Sequence, residues 1–148
     1  MPRRKHVAKA LVYITHGTSL LVFRQPDRAG AGVQVPGGSV EAGEALEAAA
    51  LREAREETGL GELVVQSYLG SIEYDLKVDV GAPHLRHFFH AAYPGPMQPR
   101  WELVERKGSN GGSTRRELWW EPLSSVELDW EMGAYLERLK QQFGLAPT

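Results

Sequence analysis

Apolar and polar positions alternate along the chain in two distinct rhythms. Val7 to Ile14 is dense in β-branched and aliphatic residues and reads as a strand, and Leu20 to Gln25 resumes the pattern. His16-Gly17-Thr18-Ser19 between them reads as the turn of a β-hairpin, with a loop longer than the tightest type. Pro26 to Gly32 is a loop; Val33 to Val35 is briefly extended and is stopped by Pro36-Gly37-Gly38. Leu63 to Ile72 and Leu85 to Tyr93 read as further strands. After the loop enforced by Pro94, Pro96 and Pro99, Trp101 to Glu105 and Glu117 to Trp120 read as short strands around a Gly-rich loop, Lys107 to Arg116.

Two segments follow a helical rhythm. Ala45 to Thr58 is rich in Ala, Glu, Leu and Arg without an internal Gly or Pro, and Gly59 stands where a left-handed cap belongs. Trp130 to Phe143 places Met132, Tyr135, Leu136, Leu139 and Phe143 at helical spacing, with Asp129 as N-cap and Gly144 as the stop. The order β-β-β-α-β-β-β-β-α argues for an α+β fold, a mixed sheet with helices packed on it, and not for a βαβ repeat.

Length and charge narrow the class. At 148 residues the chain suits one domain with its own core, residues 1–6 being a frayed basic tip. The formal charge of −2 gives no overall pull toward nucleic acid or an anionic membrane. Cysteine is absent, which excludes disulfides, thiolate-held zinc or iron–sulfur centres and a Cys nucleophile. No apolar run reaches the roughly 18–20 residues of a membrane span. The basic start resembles the flank of a signal peptide, but Lys9 interrupts the apolar stretch from Val7 to Ile14 and no clear cleavage site appears, so a cytoplasmic protein is expected.

The chemistry concentrates between Gly38 and Leu60. Glu53, Glu56 and Glu57 stand at i, i+3 and i+4, neighbours on a helix surface. Three like charges near a helix C-terminus repel one another and oppose the dipole. A hard divalent cation such as Mg²⁺ would turn that repulsion into coordination and would share itself with substrate phosphates. Pro36-Gly37-Gly38 lets the backbone approach the helix closely. Arg52, four residues before Glu56, is placed to pair with that carboxylate and orient it. The reaction class this suggests is phosphoryl hydrolysis, in which metal neutralises phosphate charge and water attacks in line. The bland alternative is a solvated acidic face.

The pattern of Gly38, Glu44, Arg52-Glu53-Ala54, Glu56-Glu57 and Gly59-Leu60 resembles the signature of the Nudix hydrolase family, with all seven fixed positions present. One departure is Ala54, where the family usually carries a bulkier aliphatic residue. The resemblance implies a mixed sheet sandwiched between helices and hydrolysis of a pyrophosphate bond in a nucleoside diphosphate linked to another moiety, with Mg²⁺ or Mn²⁺. It implies Glu53, Glu56 and Glu57 as metal ligands, a carbonyl of Gly37 or Gly38 completing the site, and Glu53 or Glu56 as the base. Arg52 would orient a glutamate and Glu44 would brace loop against helix. A further glutamate from a late loop often joins such sites; Glu117 is the candidate, with Glu102 and Glu105 behind it.

Outside that stretch the signals are thinner. Gly30-Ala31-Gly32 lacks the rest of a dinucleotide fingerprint, and no P-loop lysine motif occurs. On a strand, His87 would face away from His84 and His90, which argues against a zinc site. Trp119 and Trp120 would point to opposite faces, one into the core and the other free to stack on a base. The basic loop Lys107 to Arg116 is either solvated or a lid meeting phosphates, with Arg115 as its candidate contact. The expected partner is a small nucleotide, with the assembly open between monomer and homodimer. The rival readings are a nucleotide-binding module without turnover and an RNA 5′-end hydrolase.

Overall fold

The structure, a computed structural model, describes residues 6–28, 30–75, 82–106 and 112–145. Its elements are β1 (Val7–His16), β2 (Ser19–Arg24), β3 (Gly37–Ser39), α1 (Leu46–Thr58), β4 (Val64–Tyr74), β5 (His84–Ala92), β6 (Arg100–Arg106), β7 (Ser113–Pro122) and α2 (Leu136–Gln142). They follow the expected order, except that the third strand is Gly37–Ser39 and not Val33–Val35, where Gln34 makes only an isolated bridge to Phe23. The strands form one mixed sheet, β4-β5-β1-β2-β7-β6, with β3 joined to β1. β1 runs parallel to β5; the other pairings are antiparallel.

β1 explains the layering. Its alternate residues Ala10, Val12 and Ile14 enter one buried cluster, while Leu11 and Tyr13 enter another. A strand apolar on both faces belongs in the middle of a sheet that is covered on both sides. α1 covers the first face with Ala49, Ala50 and Ala54, all within 1% of full burial. These short side chains let the helix lie close to the sheet, and Ala54 is part of that close packing. α2 covers the second face through Leu136 and Leu139. The sheet between helices is the architecture the sequence predicts.

Four local expectations are corrected. The first hairpin closes with a two-residue loop, Gly17-Thr18, between the paired His16 and Ser19, tighter than expected. Gly17 supplies the left-handed φ of +58° that such a turn needs. Pro36-Gly37-Gly38 does not end an extended stretch; Gly37–Ser39 is itself a strand, paired with Leu11 to Lys9. β2 pairs with only the last two residues of β1, so the strands splay and β3 satisfies the backbone left open. A Cβ on Gly37 would come within 2.8 Å of the Ala10 carbonyl oxygen, which is why glycine fits there.

β7 begins at Ser113, so Arg115 and Arg116 lie in a strand and not in a loop. Residues 107–111 of that expected loop, like most of the expected basic tip, lie outside the described residues. The last helix starts at Leu136 and not at Trp130. Trp130 and Glu131 take φ of 60° and 58°, left-handed values that a right-handed helix cannot contain. Asp129 spends its carboxylate on the Val33 N–H at 2.8 Å and caps nothing.

Candidate active site

Helical spacing places Ala50, Ala54 and Glu57 on the stripe of α1 that faces the sheet. Glu57 is thereby carried inward and is 8% exposed. Glu53 and Glu56 fall toward the rim, their side chains 16% and 46% exposed. The three acids expected to act together therefore occupy three different environments.

Glu57 is held on both oxygens. Oε1 accepts the Gly37 N–H at 2.6 Å, and Oε2 pairs with Arg116 at 2.9 Å. Arg116 also reaches Glu105 at 2.7 Å and lies over the Phe23 ring. Burial pushes the Glu57 carboxyl up to about 7; the Arg116 charge and the Gly37 N–H pull against that rise. Gly38 sits against Glu53 so closely that a Cβ there would lie 2.3 Å from its carboxyl carbon. Only glycine admits that approach.

Arg52 organises the rim. It donates to both oxygens of Glu44 at 2.8 and 2.9 Å, to Glu53 at 2.9 Å and to the Ser39 carbonyl at 2.9 Å. Glu56 stands farther off, at 3.7 Å. The Arg52 hydrogen bonds, with the Glu41 N–H, hold the Glu44 carboxyl down at about 2. The loop before α1 is thus tied to the helix through one guanidinium.

Beside the rim acids an open cleft of about 600 Å³ runs between α1 and β6, lined by Glu53, Glu56 and Glu105. On the other side, Gly37, Gly38 and Glu57 border a separate cavity of about 170 Å³. Among the described residues no three acids or histidines converge as a ready-made ion cage. The donor set still suits a hard cation. Glu53 and Glu56 present carboxylate oxygens to the cleft, and the bare Gly38 backbone lies against Glu53. Glu57 fits less directly, because both its oxygens are already engaged.

The remaining predicted residues are dispersed. Glu117 is paired with Arg24 across β2 and β7 at 2.8 Å, and among the described residues no hydrogen bond or ion pair joins it to α1. Glu102 and Asp27 flank Arg115, which is 40% exposed. Trp119 and Trp120 do face opposite ways, each half-buried. Trp119 donates to Glu121, and Trp120 donates to the Gln98 carbonyl beside Tyr93 and Trp101. His90 meets Thr15 and Phe143, and His87 meets Tyr68 on the other face.

Arg116 is the residue that sequence reasoning missed, with Glu105 as its second partner. Its signal is the two-residue period of a strand: Arg116 shares a face with buried Leu118 and so faces α1.

The model of the NUDIX domain family matches residues 4–139. Among solved structures, the chain is similar to an Ap4A hydrolase of C. elegans, with a TM-score of 0.65 and 19% identity over 94% of this chain and 98% of that one. It is similar to a UDP-X diphosphatase with a TM-score of 0.65 and 15% identity, covering 97% of this chain and 66% of the other. RenU, a Nudix hydrolase of M. smegmatis, gives 0.64 and 19% identity over 93% and 86%. No curated protein matches in sequence.

Proposed function

The chain belongs to the NUDIX domain family, the family of the Nudix pyrophosphohydrolases, and on that premise we propose that it hydrolyses a small nucleotide at a pyrophosphate bond with Mg²⁺ or Mn²⁺. The substrate has the form of a nucleoside diphosphate linked to a moiety X. Water adds to one phosphorus, the bond to the bridging oxygen breaks, and a nucleoside monophosphate and phosphorylated X leave. The observation that carries this reading is the pair Glu53 and Glu56 opening on one cleft beside the bare backbone of Gly38. The names of two structural neighbours, an Ap4A hydrolase and a UDP-X diphosphatase, support a nucleotide substrate for this chain as well.

Glu53, Glu56 and the Gly38 carbonyl would hold the cation, with Glu57 joining only by giving up a bond. When bound, the cation neutralises phosphate charge and lowers the cost of adding water. Arg52 fixes Glu53 and the Ser39 carbonyl in one arrangement. Among the described residues Glu56 is the cleft acid with no hydrogen bond, its nearest cation standing at 3.7 Å, so one of its oxygens can bind the cation while the other takes the proton of the attacking water.

The test is product analysis on a panel of nucleoside triphosphates, nucleotide sugars and dinucleoside polyphosphates, with Mg²⁺, Mn²⁺ or EDTA. Metal-dependent release of a monophosphate is expected, with Glu56→Gln lowering kcat by roughly 10²–10⁴-fold. Cleavage untouched by EDTA, or none across the panel, would overturn the reading.

A further inference from the structure

The cavity bordered by Gly38 and Glu57 extends away from the open cleft, toward the first residues of β1 and β5, where Lys9, His84 and Arg86 line it. The parallel register sets Lys9 directly beside Arg86, and His84 shares a face of β5 with Arg86. Three basic side chains therefore gather on one wall. Lys9 donates to the Ser39 hydroxyl at 2.7 Å, in the same strand as Gly38.

Arg86 is the telling member. It is only 7% exposed, with its guanidinium 3.7 Å above the Tyr74 ring. One of its nitrogens donates to the Trp130 carbonyl. Glu131 is an acidic group that bears on it, yet among the described residues no carboxylate forms an ion pair with it. Taking a guanidinium out of water without a counter-anion is costly unless an anion arrives. His84 registers the same excess: burial, then Lys9 and Arg86, hold its imidazole below the usual range. The Trp130 carbonyl belongs to the left-handed pair Trp130 and Glu131, a conformation the surroundings must hold in place. Arg86 and the Trp130 indole, which donates to the Ala31 carbonyl, do so, and the turn delivers Met132 to the cavity wall.

We propose that this cavity is an anion subsite, in which Arg86, with Lys9 and His84, receives a phosphate or carboxylate carried by the substrate at a distance from the bond that is cleaved. The link to turnover rests on the proposed hydrolase reading; the binding of the anion does not. The preferred substrates are then those whose moiety X bears a charge of its own. A cavity of about 170 Å³ accepts such a group with a short stem.

The test is an NMR titration of the intact protein in EDTA, at fixed ionic strength, with inorganic phosphate, acetate and chloride. The Arg86 Nε–H and the His84 ring are expected to shift saturably with phosphate, and at least tenfold more weakly in Arg86→Gln. Arg86→Lys should recover part of the affinity. Equal response to acetate assigns a carboxylate; response to phosphate alone assigns a phosphoryl group. No saturable shift, or the same shift with chloride, overturns the subsite. Should Arg86→Gln fail to fold, Lys9→Gln carries the same comparison, with a severalfold loss expected. A protein that binds phosphate there but cleaves nothing on the panel retains the subsite and loses the hydrolase reading. An active enzyme whose Arg86 ignores every anion loses only the subsite.

Discussion

Arg52 and Arg116 perform the same task in two different media. Each ties a glutamate of α1 to a glutamate from elsewhere, Glu53 to Glu44 in one case and Glu57 to Glu105 in the other. The Arg52 side chain is 27% exposed and that of Arg116 is 3% exposed. At the rim, hydrogen bonding to the arginine dominates, and Glu44 falls to about 2. In the interior, desolvation dominates, and Glu57 rises to about 7 although its arginine stands at 2.9 Å. The same pairing thus moves two carboxylates in opposite directions, because water reaches one and not the other.

The sharpest way to break this comparison is to remove each arginine. Arg116→Leu leaves an ionised Glu57 buried without its cation and should cost about 3–5 kcal/mol in a denaturant titration at about pH 8, above the Glu57 range. Arg52→Leu should cost about 1 kcal/mol, as a partly exposed pair does. Equal losses would mean that burial does not set the difference. Next in size is Gly38→Ala. Its new methyl would displace the Glu53 carboxylate, and a shift of that kind should lower kcat about 10²-fold while the melting curve changes little.

The pH dependence of stability separates the two pairs by sign. Glu44 has a folded value below its ordinary 4.5, so its contribution is present above that pH and is lost as pH falls toward about 2. Glu57 has a folded value above 4.5, so the folded state keeps a proton that the unfolded chain has released. Stability should then decline as pH rises from about 4.5 to 7. In EDTA, Glu44→Gln should flatten the acid side of the profile and Glu57→Gln the neutral side. An unchanged profile in both variants would refute the contrast.

The smallest effects concern the late acids. Glu105→Gln loosens the Arg116 bridge and should reduce turnover measurably in steady-state assays. Glu117→Gln only frees Arg24, and its kcat should stay within about twofold, with stability within roughly 0.5 kcal/mol.

How much of the molecule is legible in its sequence depends on the range of the forces involved. α1 was legible because propensity, spacing and the left-handed Gly59 all act within a few residues of one another. The partner of Arg52 was less legible: helical spacing points to Glu56, but the guanidinium gives its hydrogen bonds to Glu44, Glu53 and the Ser39 carbonyl and leaves Glu56 at 3.7 Å. Arg116 is hidden because its partners come from α1 and β6, and because the glycines of residues 107–116 carry the local pattern of a loop through to Arg116. The start of α2 was misplaced for a related reason. Asp129 has the form of a cap, but its carboxylate is claimed by Val33, nearly a hundred positions earlier in the chain. β3 was obscured by its own glycines, which mark a turn locally and a close strand pairing in the sheet.

The parallel pairing of β1 with β5 has a consequence for how the molecule comes into being. α1 lies wholly inside the chain segment that this pairing closes, and Arg116 lies beyond it. During synthesis the acidic helix therefore emerges before the strand that completes its floor and well before the arginine that neutralises Glu57. A closure spanning so much sequence is slow, on the order of milliseconds to seconds once the chain is complete. Glu53, Glu56 and Glu57 are thus made before β5, β6 and β7, the strands that complete their surroundings.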